Sequence, residues 1–422
     1  MGIQMFRGRA LVAITLISVS AQAASVAAPA LDTRVSPAQV LSEIERVVRR
    51  EFYDREGLAA FNAAEDRIRA EAAKSDLSEA SNDWLLTLNA SHTGRFTPDT
   101  IEYFELADVF ARGIRDDVRR LFPPEGRVTY EGIGIATTTI DGKPFISDVY
   151  EGSPAAFAGL SPGDEIVAVD GTPFASIDSF AGKVGQTVQV RLRRLPNGPV
   201  LDVGVTVRSL QPAETFNKAI RDSVSIVQRG GSRIGYMRIW SFASRGVDDV
   251  IMDVLTTEPL KSADGLVLDL RGRWGGAPPD AVNYFVGRSP TMTMTGRDGE
   301  AELLSASWRK PVVGIVDEGT RSGMEILAYA LKRAGVPLIG IRTAGAVLAG
   351  RAFVLEDNSL LEIAVSDVHV DGVRLEGNGV SPDIRVPFEL PYSAGNDPQF
   401  DRAVDEMAKL LRRSGGNASE DG

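Results

Sequence analysis

The sequence predicts an α/β fold with a helical N-terminal segment and an inserted β-rich segment, on three observations. From about residue 215 onward, strand-like runs ("IGYMRIWSF", "GLVLDLRG", "PVVGIVDEG", "PLIGIRT") alternate with helical stretches, the pattern of a layered α/β core. Residues 36 to 88 are helical in pattern, with Val40, Ile44, Val47 and Val48 on one face. Near Pro123-Pro124 the texture changes to short β runs, turns and many glycines.

Taken in order, the chain opens on a targeting signal. "MGIQMFRGR" carries Arg7 and Arg9, "ALVAITLISVS" is a short apolar run, and Ala21-Gln22-Ala23 fits a small-residue cleavage site. The run is too short to span a bilayer comfortably, so a removed leader is favoured over an uncleaved anchor helix. That places the mature chain in the periplasm or outside the cell, with no stable membrane span after cleavage. The segments that follow are a helical domain over 24–125, a β-rich domain over 126–210, an α/β core over 211–392, and a C-terminal helix with a polar tail over 393–422.

Composition removes several function classes. With 422 residues, 43% hydrophobic and 24% charged, the chain can bury a large core. A formal net charge of -11 offers no basic patch for nucleic acid. The absence of cysteine excludes disulfides, thiolate metal sites and a cysteine nucleophile together. Two histidines, His92 and His369, argue against a histidine-rich metal site, and no cofactor is implied. His369 alternates with apolar residues in "SDVHVDGVRLEG" and reads as packing or solvent-facing.

"DEGTRSGMEILAYALKRAG", residues 317 to 335, reads as a helix with start and stop signals. Ser322 stands three residues before Glu325, the capping-box spacing, and Gly335 with Pro337 supplies the stop. Ser322 can be only a cap, or also a nucleophile at the positive end of a helix, where unpaired N–H groups favour a developing oxyanion. The N–H of Gly323 is then a candidate oxyanion donor. A serine also needs a base, and a histidine with pKa ~6.5 can accept its proton at neutral pH.

Two resemblances extend this reading. "YEGIGI" (Tyr130 to Ile135) followed by "GSPAAFAGLSPGDEIVAVDGTPF" resembles a PDZ domain of the bacterial, protease-associated kind. Gly132, Ile133 and Gly134 fall where that family has its carboxylate-binding loop, so the resemblance implies capture of peptide C-termini by strand addition. Beyond it, "IGYMRIWSFA", "GLVLDLRGRWGG", "PVVGIVDEGTRSGMEILAYALKRAG" and "LEGNGVSPDI" occur in the order found in C-terminal processing peptidases and the related tricorn core peptidases. That resemblance implies a ClpP/crotonase-like core, protein or peptide substrates, and Ser322 as nucleophile, with Gly275 as second oxyanion donor.

The processing peptidases proper use a lysine base some two dozen residues after the serine. Here "GIRTAGAVLAG" has Ala346 or Val347 in its place, and no lysine occurs between Lys332 and Lys409. The tricorn-like branch uses a Ser-His pair from before the PDZ position, which Ser91-His92 matches. Glu376 in "LEGNGVSPDI" matches that branch's catalytic carboxylate, with Ser91 as the polar link. The competing reading is a pseudopeptidase that keeps the PDZ module as a peptide-binding scaffold and has lost turnover with its lysine.

Overall fold

The computed structural model describes residues 29–72, 76–272, 275–287, 290–305 and 307–417, so the N-terminal leader lies outside the described residues. The architecture is mixed α/β, with a helical N-terminal region and an inserted β-rich PDZ segment. Three helices, Pro37–Glu51, Leu58–Ala72 and Leu77–Leu86, form the helical pattern read at the start. The first begins on a complete capping box between Ser36 and Gln39 and buries Val40, Leu41, Ile44, Val47 and Val48. Phe61 stacks on Trp84 at 4.2 Å between ring centroids beneath it.

These helices do not form a free-standing unit. Their core is shared with Leu348, Leu355, Leu361 and Ile363, which come from near the end of the chain. The link is a three-stranded antiparallel sheet in which the short strand Gly94–Phe96 pairs with Leu360–Ser366, which in turn pairs with Ala349–Val354. Buried Arg95 closes the joint, reaching Asp357 at 2.5 Å and Ser359 at 2.9 Å. An early segment is therefore built into the late part of the fold, and His92 lies two residues before the pairing strand.

The inserted segment is a five-stranded antiparallel sheet over Ile135–Thr206, with a helix at Pro154–Phe157 capped by Ser153. It is anchored to the rest of the chain rather than tethered. Tyr150 packs edge-on against Phe216 and Trp240 and donates to Glu105, while Asp148 pairs with Arg238 at 2.7 Å. On the far side Tyr392 donates to Glu165 at 2.7 Å and packs edge-on against Phe145.

The core is a six-stranded sheet in the order Ile384–Arg385, Leu338–Gly340, Val312–Val316, Gly265–Asp269, Ser232–Arg238, Ser225–Arg229. All neighbours are parallel except the last pair. The central strands Gly265–Asp269 and Val312–Val316 are buried throughout, as expected of parallel strands covered on both faces. Helices Pro212–Ser223, Val247–Thr256 and Gly323–Arg333 cover one face. Helix Pro398–Asn417 covers the other with Ala403, Val404, Met407 and Ala408, and so runs into the polar tail expected to fray. No helix among the described residues is long and apolar enough to cross a membrane.

Candidate active site

The helix Gly323–Arg333 forms where its apolar period predicts, but Ser322 does not cap it. Its side chain makes no capping hydrogen bond, and its backbone sits at φ 57°, ψ -130°, a conformation that costs a non-glycine residue about 1–3 kcal/mol. The capping-box expectation fails because Glu325 is committed elsewhere. Its buried carboxylate accepts from the Thr343 hydroxyl at 2.5 Å and from the N–H groups of Gly345 and Ala346 at 2.7 Å. The loop so held returns a bond to the turn, with the Ser322 N–H donating to the Ala346 carbonyl at 2.8 Å. The strained turn is over-determined from outside, and the hydroxyl is left free of the backbone.

Gly275 comes against this turn. A Cβ on Gly275 would stand 2.5 Å from Ser322 Cβ, 2.9 Å from its Oγ and 2.4 Å from the Gly323 nitrogen, so only glycine fits. Gly276, at φ 87°, and Ala277 follow, and a Cβ on Gly323 would meet their nitrogens at 2.7 and 2.3 Å. Within the described residues the N–H groups of Gly275 and Gly276 make no hydrogen bond. Open donors thus flank the hydroxyl. The sequence reading named Gly275 and Gly323 and missed Gly276.

Ser91, His92 and Glu376 meet in one hydrogen-bonded chain. Ser91 Oγ donates to Glu376 Oε2 at 2.8 Å and stands 3.0 Å from His92 Nδ1, while the Ser91 N–H donates to Glu376 Oε1 at 3.0 Å. Glu376 also accepts from the N–H groups of Val347 at 2.7 Å and Leu348 at 3.2 Å. Val347 lies in the stretch where the processing peptidases carry their lysine; here its backbone supports the carboxylate instead. Because the Ser91 proton is spent on Glu376, its oxygen can only accept from His92. Nδ1 therefore carries the ring proton, and Nε2 keeps its lone pair.

His92 is itself at a positive φ of 52°. Burial, and then the positive charge of Arg321, lower its pKa to about 3, so the ring is neutral across the physiological range. Arg321 immediately precedes Ser322, which places the imidazole within electrostatic range of the Ser322 turn. Among the described residues no hydrogen bond joins Ser322 Oγ to His92. The Ser322 backbone is instead linked to His92 through Ala346, Val347, Glu376 and Ser91. His369 is exposed in a two-residue strand pairing with Arg374 and makes no hydrogen bond to Ser91, His92 or Glu376 among the described residues.

Comparison with known proteins bears on the family of the chain. The family model described as Peptidase family S41 matches residues 233–386, and a PDZ domain model matches residues 145–194. Over its α/β core the chain is similar to peptidase family S41. Among curated family S41 relatives, the carboxy-terminal processing protease CtpA of Bacillus subtilis (strain 168) is 29% identical over 307 residues, covering 68% of this chain and 63% of that protein. CtpB of the same organism is 29% identical over 283 residues, covering 63% of this chain and 57% of its own. The chain thus spans about three-fifths of the length of these relatives. The crystal structure of the tricorn protease superposes with a TM-score of 0.52 at 18% identity, covering 89% of this chain and 37% of that one, a likeness of fold.

In the PDZ segment, Gly132 ends the strand Tyr130–Gly132, Ile133 is buried, and Gly134 takes a positive φ of 83° against Ser153. The N–H groups of Ile133 and Gly134 make no hydrogen bond within the described residues. That leaves them available to an incoming carboxylate.

Proposed function

We propose that this protein is a family S41 serine endopeptidase of the tricorn-like kind, with a ClpP/crotonase-like core. Ser322 Oγ attacks the substrate carbonyl while its proton passes to His92 Nε2. The oxyanion is held by the N–H of Gly323 with Gly275 or its neighbour Gly276. His92 then delivers the proton to the leaving amine, and water hydrolyses the acyl-enzyme by the same route in reverse. Ser91 and Glu376 hold the imidazole in the tautomer this requires. The observation that carries the reading is the Ser91 hydroxyl bridging His92 and Glu376. A pseudopeptidase would have no need for a buried carboxylate and a half-buried neutral histidine linked in that order.

The PDZ module recruits substrate by its C-terminus through the loop Gly132–Gly134, and the chain works in the periplasm or outside the cell after removal of residues 1–23. The test is covalent labelling by a serine-reactive fluorophosphonate together with hydrolysis of an unfolded protein substrate. Both are expected in the wild type, both lost in Ser322→Ala, and hydrolysis reduced at least a thousandfold in His92→Ala. Retained proteolysis in Ser322→Ala rejects the nucleophile. A folded wild type that neither labels nor cleaves is the pseudopeptidase outcome.

A further inference from the structure

One buried carboxylate beside the site is left unused by this mechanism. Glu362 lies in the strand Leu360–Ser366 and is only 3% exposed, and its carboxylate makes no hydrogen bond among the described residues. Its neighbours Leu361 and Ile363 face the N-terminal helices, so the alternation of the strand turns Glu362 to the opposite side. Directly across from it stand Gly94 on one strand and Ala352 on the other, two small residues that leave the carboxylate room. What faces it is His92. A Cβ on Gly350 would lie 2.6 Å from Glu362 Oε1 and 3.1 and 3.3 Å from His92 Cβ and Cδ2. Carboxylate and ring therefore approach the same point, with only a glycine between them.

The other charges nearby are few. From the strand Gly94–Phe96, Arg95 is turned away to Asp357; from Ala349–Val354, Arg351 pairs with Glu51 at the surface. The nucleophile's turn contributes Arg321, whose charge acts on both Glu362 and His92. An imidazolium formed beside Arg321 in a buried site is disfavoured, and Glu376 reaches it only through a neutral hydroxyl.

We propose that Glu362 is a positioning residue of the peptidase reaction, its carboxylate supplying the counter-charge for the imidazolium that His92 becomes on taking the Ser322 proton. The inference rests on His92 being the base. Glu362 takes no proton in the step: the Ser322 proton moves to Nε2, the Oγ electron pair forms the bond to carbon, and the carbonyl π pair moves to oxygen. Burial pushes the Glu362 carboxyl up to about 7, with Arg321 pulling it down, so it becomes charged within the working range.

Two readouts test this on the full chain. In the His369→Gln background, where His92 is the remaining histidine, the ring NMR shifts of His92 are followed against pH. They are expected to show an inflection near 7 from ionisation of Glu362, absent in Glu362→Gln and moved to higher pH in Arg321→Gln. This readout needs no turnover, so it stays separate from a failure of the peptidase reading itself. In kinetics, wild-type kcat/KM is expected to rise with pH through the same range. Glu362→Gln should be flat there and lower by roughly tenfold to a hundredfold at pH 8, one to two pKa units of lost imidazolium stabilisation. A wild-type ring with no such inflection, an inflection that survives in Glu362→Gln, or an unchanged rate and profile in that variant would each overturn the proposal.

Discussion

Ser91→Ala isolates the tautomer argument from the rest of the site. The substitution deletes one oxygen that accepts from His92 Nδ1 at 3.0 Å and donates to Glu376 Oε2 at 2.8 Å. Glu376 keeps its other donors, the backbone N–H groups of Ser91, Val347 and Leu348, so the carboxylate stays where it is. The loss in stability should stay near 1 kcal/mol, the net value of a hydrogen bond. His92 suffers more, because a buried Nδ1–H without an acceptor costs about 1–3 kcal/mol. The ring can relieve that cost by moving its proton to Nε2, where it presents a donor to Ser322 instead of a lone pair.

At about 1.36 kcal/mol per tenfold, kcat/KM should fall by roughly 10- to 100-fold while KM changes little. Initial rates on a quenched peptide, with a thermal melt alongside, measure both quantities. Activity within about threefold of wild type at unchanged melting temperature would refute the tautomer argument, because the hydroxyl would then be only a loop contact. A large drop in melting temperature would refute the claim that Glu376 is held independently of it.

Gly350→Ala puts a methyl 2.6 Å from Glu362 Oε1 and 3.1 Å from His92 Cβ, so it should reduce activity sharply at a stability cost of about 1–3 kcal/mol, read by parallel rates and melts. Glu325→Ala removes the acceptor for Thr343, Gly345 and Ala346 and frees the loop that fixes Ser322; denaturant titration should show a loss of about 3 kcal/mol, and fluorophosphonate labelling should slow with it. Raised from 4.5 to about 7, the Glu362 carboxyl binds its proton more tightly in the folded chain. Its contribution is therefore full below pH 4.5 and lost as pH rises through 7, a span of about 3 kcal/mol. Denaturation of Glu362→Gln should accordingly gain on the wild type between pH 5 and pH 8, and a gap that stays constant with pH would remove this linkage.

What the sequence made legible divides along a physical line. The helix Gly323–Arg333 and the strand Gly265–Asp269 carry their own periodicity, so local pattern suffices for them. The conformation of Ser322 does not, because it is imposed by the loop 343–346, whose grip on Glu325 depends on tertiary packing; the same local spacing would equally make a cap. The pairing of Gly94–Phe96 with Leu360–Ser366 involves a three-residue strand, too short for any period to show. Ser91 and Glu376 lie 285 residues apart, so only resemblance to a known motif order could suggest that they meet. Glu362 did leave a signal. A single charge in the apolar run "LLEIAV" is out of place on a buried strand, and such a residue is seldom buried without a partner or a purpose.

That late strand also explains how a distant histidine could, on the proposed mechanism, stand in for a lysine. A lysine in the 343–350 loop would come from the same segment that fixes Ser322, so nucleophile and base would be positioned by one local unit. Here the proposed base, His92, arrives on a segment held by the Gly94–Phe96 pairing, the buried Arg95–Asp357 bridge and the helical core that includes Leu361 and Ile363. The proposed catalytic constellation is therefore only as rigid as that joint. Arg95→Ala leaves the Asp357 carboxylate buried and unpaired, a change that typically costs 3–5 kcal/mol. It touches neither Ser322 nor His92, yet it should lower activity by loosening the strand that carries His92. Melts and rates will separate the outcomes: full activity in the fraction that remains folded would mean that the loop around His92 holds its place without the strand.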